Sequence, residues 1–496
     1  MGVGTCPPAL GWFTFACTVI LMICLHALPA VAQWEPPQLL TENADSGVTN
    51  WGGAKALAIS GNILHLVCLE KRNGFWRTYY KRSIDAGQTW GPDVMLAKKA
   101  AIGPRGYAGI ALSGFHVHAV WCDRRYMHDE VFYRRSTDAG ETWEDEICLA
   151  EDAFMSLWPS IAVVGANVHV AWTDARLLGM LSLLYTRSTD GGSTWEEARR
   201  MCDGTSHAMG ASLNASESHL YLGWYYWLYG GREEAWYRLS MDGGNTWHDE
   251  KGPVSDPSNT TGLFFQQDPP QMCRFWMASQ AGLWDIRFRH SSDGGQRWSG
   301  EASMGVGQTS YPHFSFAVSG STIHLVWKDD INGLGVIHYT FSTDAGRNWS
   351  VPVELSSIDS GANYPCVIIA GSVVHVVWTD YRNEKSAVYY RRNPNGNPVS
   401  VENNNAPLAD DIMLEQNYPN PFAGCSSMRF AVTEQSHVVV SLHDLLGRKA
   451  ATLVDGEYSA GKHHIRIDAP TLPAGSYLCR LTYGGQQHTR LITVLR

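Results

Sequence analysis

The chain is poor in charge, and the charge it carries is mostly of one sign. Only 17% of its 496 residues are Asp, Glu, Lys or Arg, and the formal net charge is −10. Nucleic-acid binding depends on basic surface that neutralises phosphates. The sequence therefore predicts no nucleic-acid partner.

The cysteines lack a pattern. From Gln33 onward there are eight of them, and none is in a Cys-x-x-Cys pair: Cys68, Cys122, Cys148, Cys202, Cys273, Cys366, Cys425 and Cys479. Zinc sites and dense disulfide frameworks both rely on recognisable cysteine spacing. We expect isolated buried thiols, no metal and no cofactor.

The N-terminus contains the one long apolar stretch. Residues 9–25 are apolar, and Ala30-Val31-Ala32 has the small-x-small pattern of a cleavage site. These features predict a secretory signal peptide over residues 1–32 and no membrane span in the mature protein. Because no Lys or Arg precedes the apolar run, an uncleaved membrane anchor is the alternative.

A motif of the form Ser-x-Asp-x-Gly-x-x-Trp recurs from Ser83 to Trp349. Its aspartates follow one another at nearly equal intervals of just over fifty positions: Asp85, Asp138, Asp190, Asp242, Asp293 and Asp344. A worn seventh copy surrounds Asn395. A fixed period of this length indicates one supersecondary unit that is repeated. Asp and Gly are typical of a tight turn, so the motif predicts a hairpin corner in each unit.

A second aligned position, which we call the tryptophan column, precedes each motif at a nearly constant distance. It is a tryptophan in every unit except the first, where Cys68 takes its place, and alternating apolar residues surround it. The pattern predicts four short antiparallel strands per unit. The motif resembles the Asp-box, or BNR repeat, of sialidase-like β-propellers. This resemblance implies an all-β propeller. The seven copies of the repeat predict seven blades over residues 33–400, with six blades as the alternative. We expect the segment Trp34–Leu40 to complete the last blade.

Three kinds of polar residue recur around the tryptophan column. Histidines lie three residues before it, and we expect them to make strand-edge hydrogen bonds rather than bind metal. Acids lie two residues after it and arginines four residues after it, which makes these residues ligand candidates: Asp123, Asp174, Arg125, Arg176 and Arg382. Each acid and arginine could simply bridge at the strand end, or the arginines could grip an anionic ligand with their planar forks.

The fourth and fifth units break the repeat, and aromatic residues are frequent there and before several first strands. The repeated sequence pattern of such a protein is often interrupted where a partner binds. Further ligand candidates are therefore Tyr226, Trp227, Tyr229, Arg232, Trp158, Tyr311 and Tyr364. Exposed aromatic rings suit sugars, but the same residues could also pack between blades.

The C-terminal part is a separate unit. A polar linker at 401–411 precedes short alternating strands at 412–496, which predict a small Ig-like β-sandwich. The stretches Leu414–Phe422, Val440–Arg448 and Leu472–Leu481 resemble the type A sorting domain of the type IX secretion system. This resemblance implies an interaction with the type IX machinery and a protein that is secreted or attached to the outer-membrane surface.

The sequence favours recognition of an extracellular glycan or glycoprotein on the face away from the Asp-boxes. An exo-α-sialidase-like glycoside hydrolase is the first alternative, and a protein-interaction scaffold is the second. Enzymes of the resembled family use three arginines, a Tyr–Glu pair and an Asp. No Tyr and Glu here match that pair, so no catalytic residue is assigned.

Overall fold

The computed structural model describes residues 34–394 and 414–494 apart from short gaps. The gaps are 43, 50–54, 99–106, 125–127, 151–154, 178–179, 217–218, 255–258, 269–270, 281–282, 307–312, 332, 358–359, 383–384, 415–416, 418–421, 423–424, 433–434, 445–447, 459–460, 469–471 and 485. The predicted linker and, except for Gly2, the predicted signal peptide lie outside the described residues. Every named element is a β-strand, which confirms the all-β class.

The described strands before residue 394 form seven antiparallel sheets, numbered I to VII in chain order. Sheet I contains β2 (Ser46–Val48), β3 (Leu57–Ser60), β4 (Ile63–Arg72), β5 (Phe75–Ser83) and β6 (Val94–Met95). Sheet II contains β7 (Ala108–Ser113), β8 (His116–Arg124), β9 (Asp129–Ser136) and β10 (Ile147–Cys148). Sheet III contains β11 (Ser156–Val164), β12 (Asn167–Leu177), β13 (Met180–Ser188) and β14 (Arg199–Arg200).

The remaining sheets follow the same plan. Sheet IV contains β15 (His207–Ala215), β16 (Leu220–Trp227) and β17 (Glu233–Ser240). Sheet V contains β18 (Asn259–Asp268), β19 (Gln271–Gln280), β20 (Leu283–Ser291) and β21 (Ala302–Ser303). Sheet VI contains β22 (Phe314–Ser319), β23 (Thr322–Ile331), β24 (Leu334–Ser342) and β25 (Val353–Glu354). Sheet VII contains β26 (Asn363–Ala370), β27 (Val373–Asp380), β28 (Ala387–Asn393) and, from the N-terminus, β1 (Gln38–Leu39).

The strand β1 confirms the prediction that the N-terminal segment completes the last sheet. It pairs antiparallel with β28, so that Gln38 faces Tyr390 and Leu39 faces Tyr389. The first segment of the repeat region is thereby held to its last sheet. Pairing also covers an edge of sheet VII that would otherwise present free backbone groups.

Hydrophobic clusters join consecutive sheets. One cluster contains Val67 of sheet I together with Trp121 of sheet II, and equivalent clusters link each later pair. Another cluster unites Leu57 of sheet I with Val377 and Tyr390 of sheet VII. The sheets therefore contact one another in a closed cycle, because the last one packs against the first.

The C-terminal part has its own core. Its strands are β29 (Cys425–Val432), β30 (Ser436–His443), β31 (Lys449–Tyr458), β32 (Gly461–Asp468), β33 (Gly475–Tyr483) and β34 (Gln486–Val494). They form a four-stranded sheet, in the order β31-β30-β33-β34, and a two-stranded sheet of β29 and β32. Phe430 and Ile467 from the smaller sheet share one buried cluster with Val440 and Leu481 from the larger sheet.

Candidate functional site

The Asp-box turns all lie at one end of the sheets, and their hydrogen bonds are satisfied internally. In sheet IV, Ser240 donates to Asp242 at 2.8 Å, and the Thr246 amide donates to the same carboxylate at 2.9 Å. The Thr246 hydroxyl and these other donors lower the pKa of Asp242 to about 2. The same turn recurs at Asp85, Asp138, Asp190, Asp293 and Asp344. These aspartates stabilise turns, and the worn copy around Asn395 lies outside the described residues.

In several sheets, a hydrogen-bonded histidine–tyrosine pair lies next to the Asp-box turn of the following sheet. His118 Nδ1 lies 2.7 Å from the Tyr133 hydroxyl, and the Tyr133 ring packs edge-on against Trp195 of the next sheet. Burial lowers the pKa of His118 to about 3, so the ring is neutral at neutral pH. The pair recurs at four other positions, and we call all five residues the latch histidines: His65, His118, His169, His324 and His375. Their partner is a tyrosine rather than the strand edge that the sequence suggested.

The acids that follow the tryptophan column are engaged inside the sheets. The Trp121 indole donates to Asp123 at 3.0 Å, and the Trp172 indole donates to Asp174 at 3.2 Å. Ser156 also donates to Asp174, at 2.8 Å. Asp123 is 3% exposed and Asp174 is fully buried. The structure therefore places these two ligand candidates in the interior, where they hold the column tryptophans.

The arginines behave differently from one another. Arg382 donates to Asp380 at 2.8 Å and stacks 4.3 Å from the centre of the Tyr389 ring. This is the strand-end bridge that the sequence offered as the structural alternative. Arg125 and Tyr311 lie outside the described residues, and for Arg176 only the backbone, within β12, is described.

The aromatic residues of sheet IV divide into two groups. Trp227 is 49% exposed at the end of β16, and Tyr229 is fully exposed in the turn that follows. Arg232 closes this turn through its carbonyl, which accepts the Leu228 amide at 2.8 Å, and its side chain pairs with Glu234. Tyr226 is only 5% exposed, so it belongs to the core and cannot take part in a surface site.

Tyr226 nevertheless forms the kind of Tyr–Glu pair that a tyrosine nucleophile requires. Its hydroxyl donates to Glu250 at 2.8 Å, and Arg238 donates to the other oxygen of that carboxylate at 3.2 Å. Burial, and then the Glu250 carboxylate, raise the pKa of Tyr226 well above its usual value. An activated nucleophile needs the opposite shift. The pair is a structural contact between β16 and the chain after the Asp-box.

A cavity of about 400 Å³ runs between the first strands of the seven sheets. Each first strand contributes residues to its wall, among them Leu57, Ile110, Ile161, Leu213, Phe265, Phe316 and Ile368. We call this cavity the axial channel. Its end away from the Asp-boxes lies where the first strands begin.

At that end of the cavity, a β-bulge in sheet III and another in sheet VII each contain an aromatic residue. Register shifts interrupt the pairing of β11 with β12 and of β26 with β27, and there Trp158 and Tyr364 have φ angles of +53° and +52°. Gly210 and Gly262 occupy the same bulge in sheets IV and V, with φ of +70° and +61°. Glycine adopts this left-handed conformation freely, whereas for a larger residue it costs about 1–2 kcal/mol. The chain retains two large aromatic residues where glycine would fit without strain.

Aromatic residues of four sheets form two contacting pairs at these bulges. Tyr107 packs edge-on against Trp158 with ring centres 5.6 Å apart, and His313 lies 4.7 Å from Tyr364. Burial, and then the phenols of Tyr381 and Tyr107, raise the pKa of Tyr364. We call Tyr107, Trp158, His313 and Tyr364 the channel mouth; of these four residues, Tyr364 lines the cavity.

The described part of the channel mouth is uncharged at neutral pH. His313 Nδ1 lies 2.8 Å from the side-chain oxygen of Asn363, and burial lowers the pKa of His313 to about 4. Neutral rings with hydroxyl and imidazole groups at their edges can stack against flat apolar faces and form hydrogen bonds at the same time. The mouth is therefore suited to an amphipathic ring-shaped ligand.

The sequence identified Trp158 and Tyr364 but missed Tyr107 and His313. All four stand at the same distance before the tryptophan column of their own unit, as do Gly210 and Gly262. Counting along this register would have found the whole set. Inspection of each aromatic stretch by itself does not reveal this set of residues, because the segments that precede Tyr107 and His313 differ in length.

The described residues include no group of three His, Cys, Asp or Glu side chains that could hold a metal ion. The seven cysteines whose side chains are described are free thiols, and six of them are buried. Within the described ranges there is also no helix long and apolar enough to cross a membrane.

Three solved structures illustrate what the chain is similar to. An ulvan lyase of polysaccharide lyase family PL25 matches with a TM-score of 0.52 and 11% identity, over 71% of this chain and 95% of that one. The Trypanosoma rangeli sialidase matches with a TM-score of 0.44 and 12% identity, over 77% and 83%. An α-L-arabinofuranosidase from Fusarium graminearum matches with 0.41 and 13%, over 58% and 92%. The match to the ulvan lyase shows a similar fold and, at 11% identity, nothing more. No curated protein matches the sequence.

The C-terminal part is assigned by its sequence. The family model of the secretion system C-terminal sorting domain matches residues 416–494, which contain all six strands from β29 to β34. Such a domain directs its protein through type IX secretion. Residues 416–494 therefore belong to the secretion system C-terminal sorting domain family, and the protein is secreted or attached to the cell surface.

Proposed function

We propose that residues 33–400 form a closed seven-bladed Asp-box β-propeller that binds an extracellular glycan at its channel mouth. The closed cycle of seven sheets and the pairing of β1 with β28 support the blade count. We further propose that residues 1–32 are a signal peptide and that the tail at 412–496 is an Ig-like sandwich. The propeller is then the part of the exported protein that meets a ligand.

One observation carries the proposal, namely the conformational strain at Trp158 and Tyr364. Both residues hold a left-handed φ that glycine adopts in sheets IV and V. Strain of this kind persists where the surrounding structure enforces it, and it concentrates at binding and catalytic sites. Tyr107 and His313, each in ring contact with one of the two strained residues, extend the same surface.

The chemistry of the channel mouth suits sugars. The apolar face of a pyranose ring stacks on an aromatic ring, while its hydroxyls need donors and acceptors at the rim. Trp227 and Tyr229 are exposed at the same end of the sheets and would extend the surface for a longer chain. The shared fold with a polysaccharide lyase agrees with a polysaccharide ligand.

The test removes the two strained rings. Trp158→Gly and Tyr364→Gly each delete an aromatic contact and also relieve the left-handed strain. We expect glycan affinity to fall about tenfold or more for each variant, as for the loss of an aromatic anchor. We expect the denaturation midpoint to change little, because strain relief offsets lost packing. A glycan array followed by calorimetry on the full mature chain measures the affinity.

Phe115→Ala is the matched control. Phe115 is 72% exposed in the turn between β7 and β8, at the Asp-box end, so its removal should leave glycan affinity unchanged. Unchanged affinity in both mouth variants, with loss in Trp227→Ala, would move the site to the sheet IV turn. Binding to no glycan would favour a protein scaffold, and release of sialic acid from a fluorogenic sialoside would favour the exo-α-sialidase alternative.

A further inference from the structure

An arginine replaces an apolar residue inside sheet V. Two positions before the tryptophan column, the second strand of every other sheet has a fully buried apolar residue: Leu66, Ala119, Val170, Leu222, Leu325 and Val376. Sheet V has Arg274 at this place in β19, and only 6% of this residue is exposed. A buried cation is unfavourable unless opposite charge and hydrogen bonds accompany it. The replacement therefore requires a compensating partner.

A second arginine lies directly beside the first. Arg274 of β19 pairs with Arg289 of β20 across the two antiparallel strands. Side chains in directly opposite positions are neighbours on one face of a sheet, and like charges there repel each other. Burial lowers the pKa of Arg274, the Tyr237 phenol opposes this shift, and the charge of Arg289 adds to it. Both guanidinium groups nevertheless stay charged at neutral pH, so the repulsion persists.

The basic residue at the place of Arg289 has carbonyl acceptors in other sheets. In sheets II and VII the Nε–H groups of Arg134 and Arg391 donate to backbone carbonyls at 2.6 and 2.7 Å. In sheet V the buried Nε–H groups of Arg274 and Arg289 have no acceptor among the described residues. Arg289 approaches Glu301 to 3.7 Å, which is an ion pair but not a hydrogen bond. Two buried donors on adjacent guanidinium groups are therefore available to a ligand.

Aromatic rings compensate the charge of Arg274 only in part. Its guanidinium carbon lies 4.4 Å from the centre of the Trp298 ring and 5.8 Å from that of Tyr237. A cation–π contact stabilises the charge over the face of the ring, but it does not satisfy the N–H groups in the guanidinium plane. Glu301 forms its ion pairs with Arg287 and Arg289 instead.

Both arginines line a cavity of about 530 Å³ between sheets IV and V. We call it the lateral cavity, and its wall also includes Tyr237, Lys251, Val254 and Glu301. None of the described residues on this wall lines the axial channel. Sheet IV has three described strands, and the segment after its Asp-box contacts β17 through an isolated bridge between Lys251 and Tyr237. The cavity therefore lies where the fourth strand of sheet IV is incomplete.

The charge on the wall of the lateral cavity suits a dianion. Arg274, Arg289 and Lys251 are cationic, and Glu301 is the one acid among the described wall residues, which leaves an excess of two positive charges. A carboxylate would neutralise only one of them. Sulfate carries two negative charges and phosphate nearly two, and a tetrahedral anion can offer oxygens to two guanidinium groups at once.

We propose that the lateral cavity binds one tetrahedral oxyanion, phosphate or sulfate, between Arg274 and Arg289. The anion compensates the charge that sheet V carries in place of an apolar residue, and it ties sheet V to the incomplete edge of sheet IV. A cavity of about 530 Å³ lies within the usual range for sites that take a small ligand. Because the lateral cavity is separate from the channel mouth, the inference does not depend on the proposed function.

The first experiment titrates the full chain with sodium phosphate and, separately, with sodium sulfate in a calorimeter. Sodium chloride keeps the ionic strength constant, and the anions stay below about 5 mM, since higher concentrations stabilise proteins by exclusion from the surface. We expect one anion to bind per chain. At about a hundredfold excess over its dissociation constant, it should raise the melting temperature by about 4 °C. Sodium acetate should bind about tenfold more weakly or less, because it carries one charge.

The second experiment restores the repeat. Arg274→Leu gives sheet V the residue that sheets I, IV and VI have at this place. We expect it to weaken phosphate binding about tenfold or more and to abolish the rise in melting temperature. In chloride alone its melting temperature should equal or exceed that of the parent chain, since an apolar residue replaces a buried charge.

Two further variants complete the comparison. Arg289→Gln removes the second charge and should also weaken phosphate binding about tenfold or more. Arg297→Leu is the matched control, because it removes an exposed arginine from the Asp-box turn of the same sheet, outside the wall of the lateral cavity. It should retain the affinity and the rise in melting temperature.

Binding of either anion with loss in Arg274→Leu supports the inference. Failure of both phosphate and sulfate to bind would overturn it and leave Arg274 as a packing residue stacked on Trp298. A full phosphate response in Arg274→Leu, or equal affinity for acetate, would also overturn it. If Arg274→Leu does not fold, Arg289→Gln decides the outcome, because the Arg289 side chain is 31% exposed and its replacement creates no buried cavity.

Discussion

Two adjacent glycines in sheet III provide a matched test of how neighbouring sheets are held together. Gly191 and Gly192 both have left-handed φ angles, of +70° and +88°. A Cβ on Gly192 would lie 1.8 Å from the Tyr133 hydroxyl of sheet II, whereas on Gly191 the nearest atom would be 3.8 Å away, in Arg135. Gly191→Ala therefore suffers backbone strain alone, about 1–2 kcal/mol, and Gly192→Ala adds overpacking of about 1–3 kcal/mol.

Urea unfolding of the full chain, followed by tryptophan fluorescence, measures the difference. We expect Gly192→Ala to unfold at clearly lower urea than Gly191→Ala. Tyr133→Phe in the Gly192→Ala background should recover part of the loss, because the nearest contact becomes the ring carbon at 2.6 Å. Equal losses in the two alanine variants would refute the reasoning, since both share the strain and only one meets the tyrosine.

Three further predictions concern pH, ring closure and the buried tyrosine. The latch histidines have folded pKa values of about 3 to 4, below the usual 6.5, so the unfolded chain binds protons first as the pH falls. The melting temperature should therefore fall between about pH 6.5 and 3, with a shallower fall in His324→Gln. Deleting residues 34–40 removes β1 and the bond from Arg391 to the Glu35 carbonyl, so light scattering should detect aggregation. Tyr226→Phe should cost about 1 kcal/mol in urea unfolding and leave glycan affinity unchanged, since Tyr226 only supports the core.

Sequence patterns predicted the scaffold well because the scaffold is periodic. The spacing of Asp85 and its five counterparts defined the repeat, and the alternation around each column tryptophan defined its strands. The last unit of the repeat region lacks a fourth strand, so the segment Trp34–Leu40 was predicted to supply it, and β1 occupies that place.

The candidate site was predicted only in part. Trp158 and Tyr364 were identified as aromatic residues before a first strand, but their left-handed bulges are invisible in a pattern of residue types. Tyr226 and Trp227 are neighbours in sequence, yet one is buried and the other is exposed. Alternation predicts that adjacent side chains face opposite sides of a strand, but it does not predict which side packs against a neighbouring sheet.

The sequence by itself determined the repeating unit, its strands, its turns and the sorting tail, because each depends on residues that are close together along the chain. Only the tertiary structure decided that Asp123 and Asp174 hold indoles and that the latch histidines pair with tyrosines. These properties depend on how seven sheets pack around one axis. Side chains from units that are far apart in the sequence come into contact there, and a local sequence pattern does not predict such contacts.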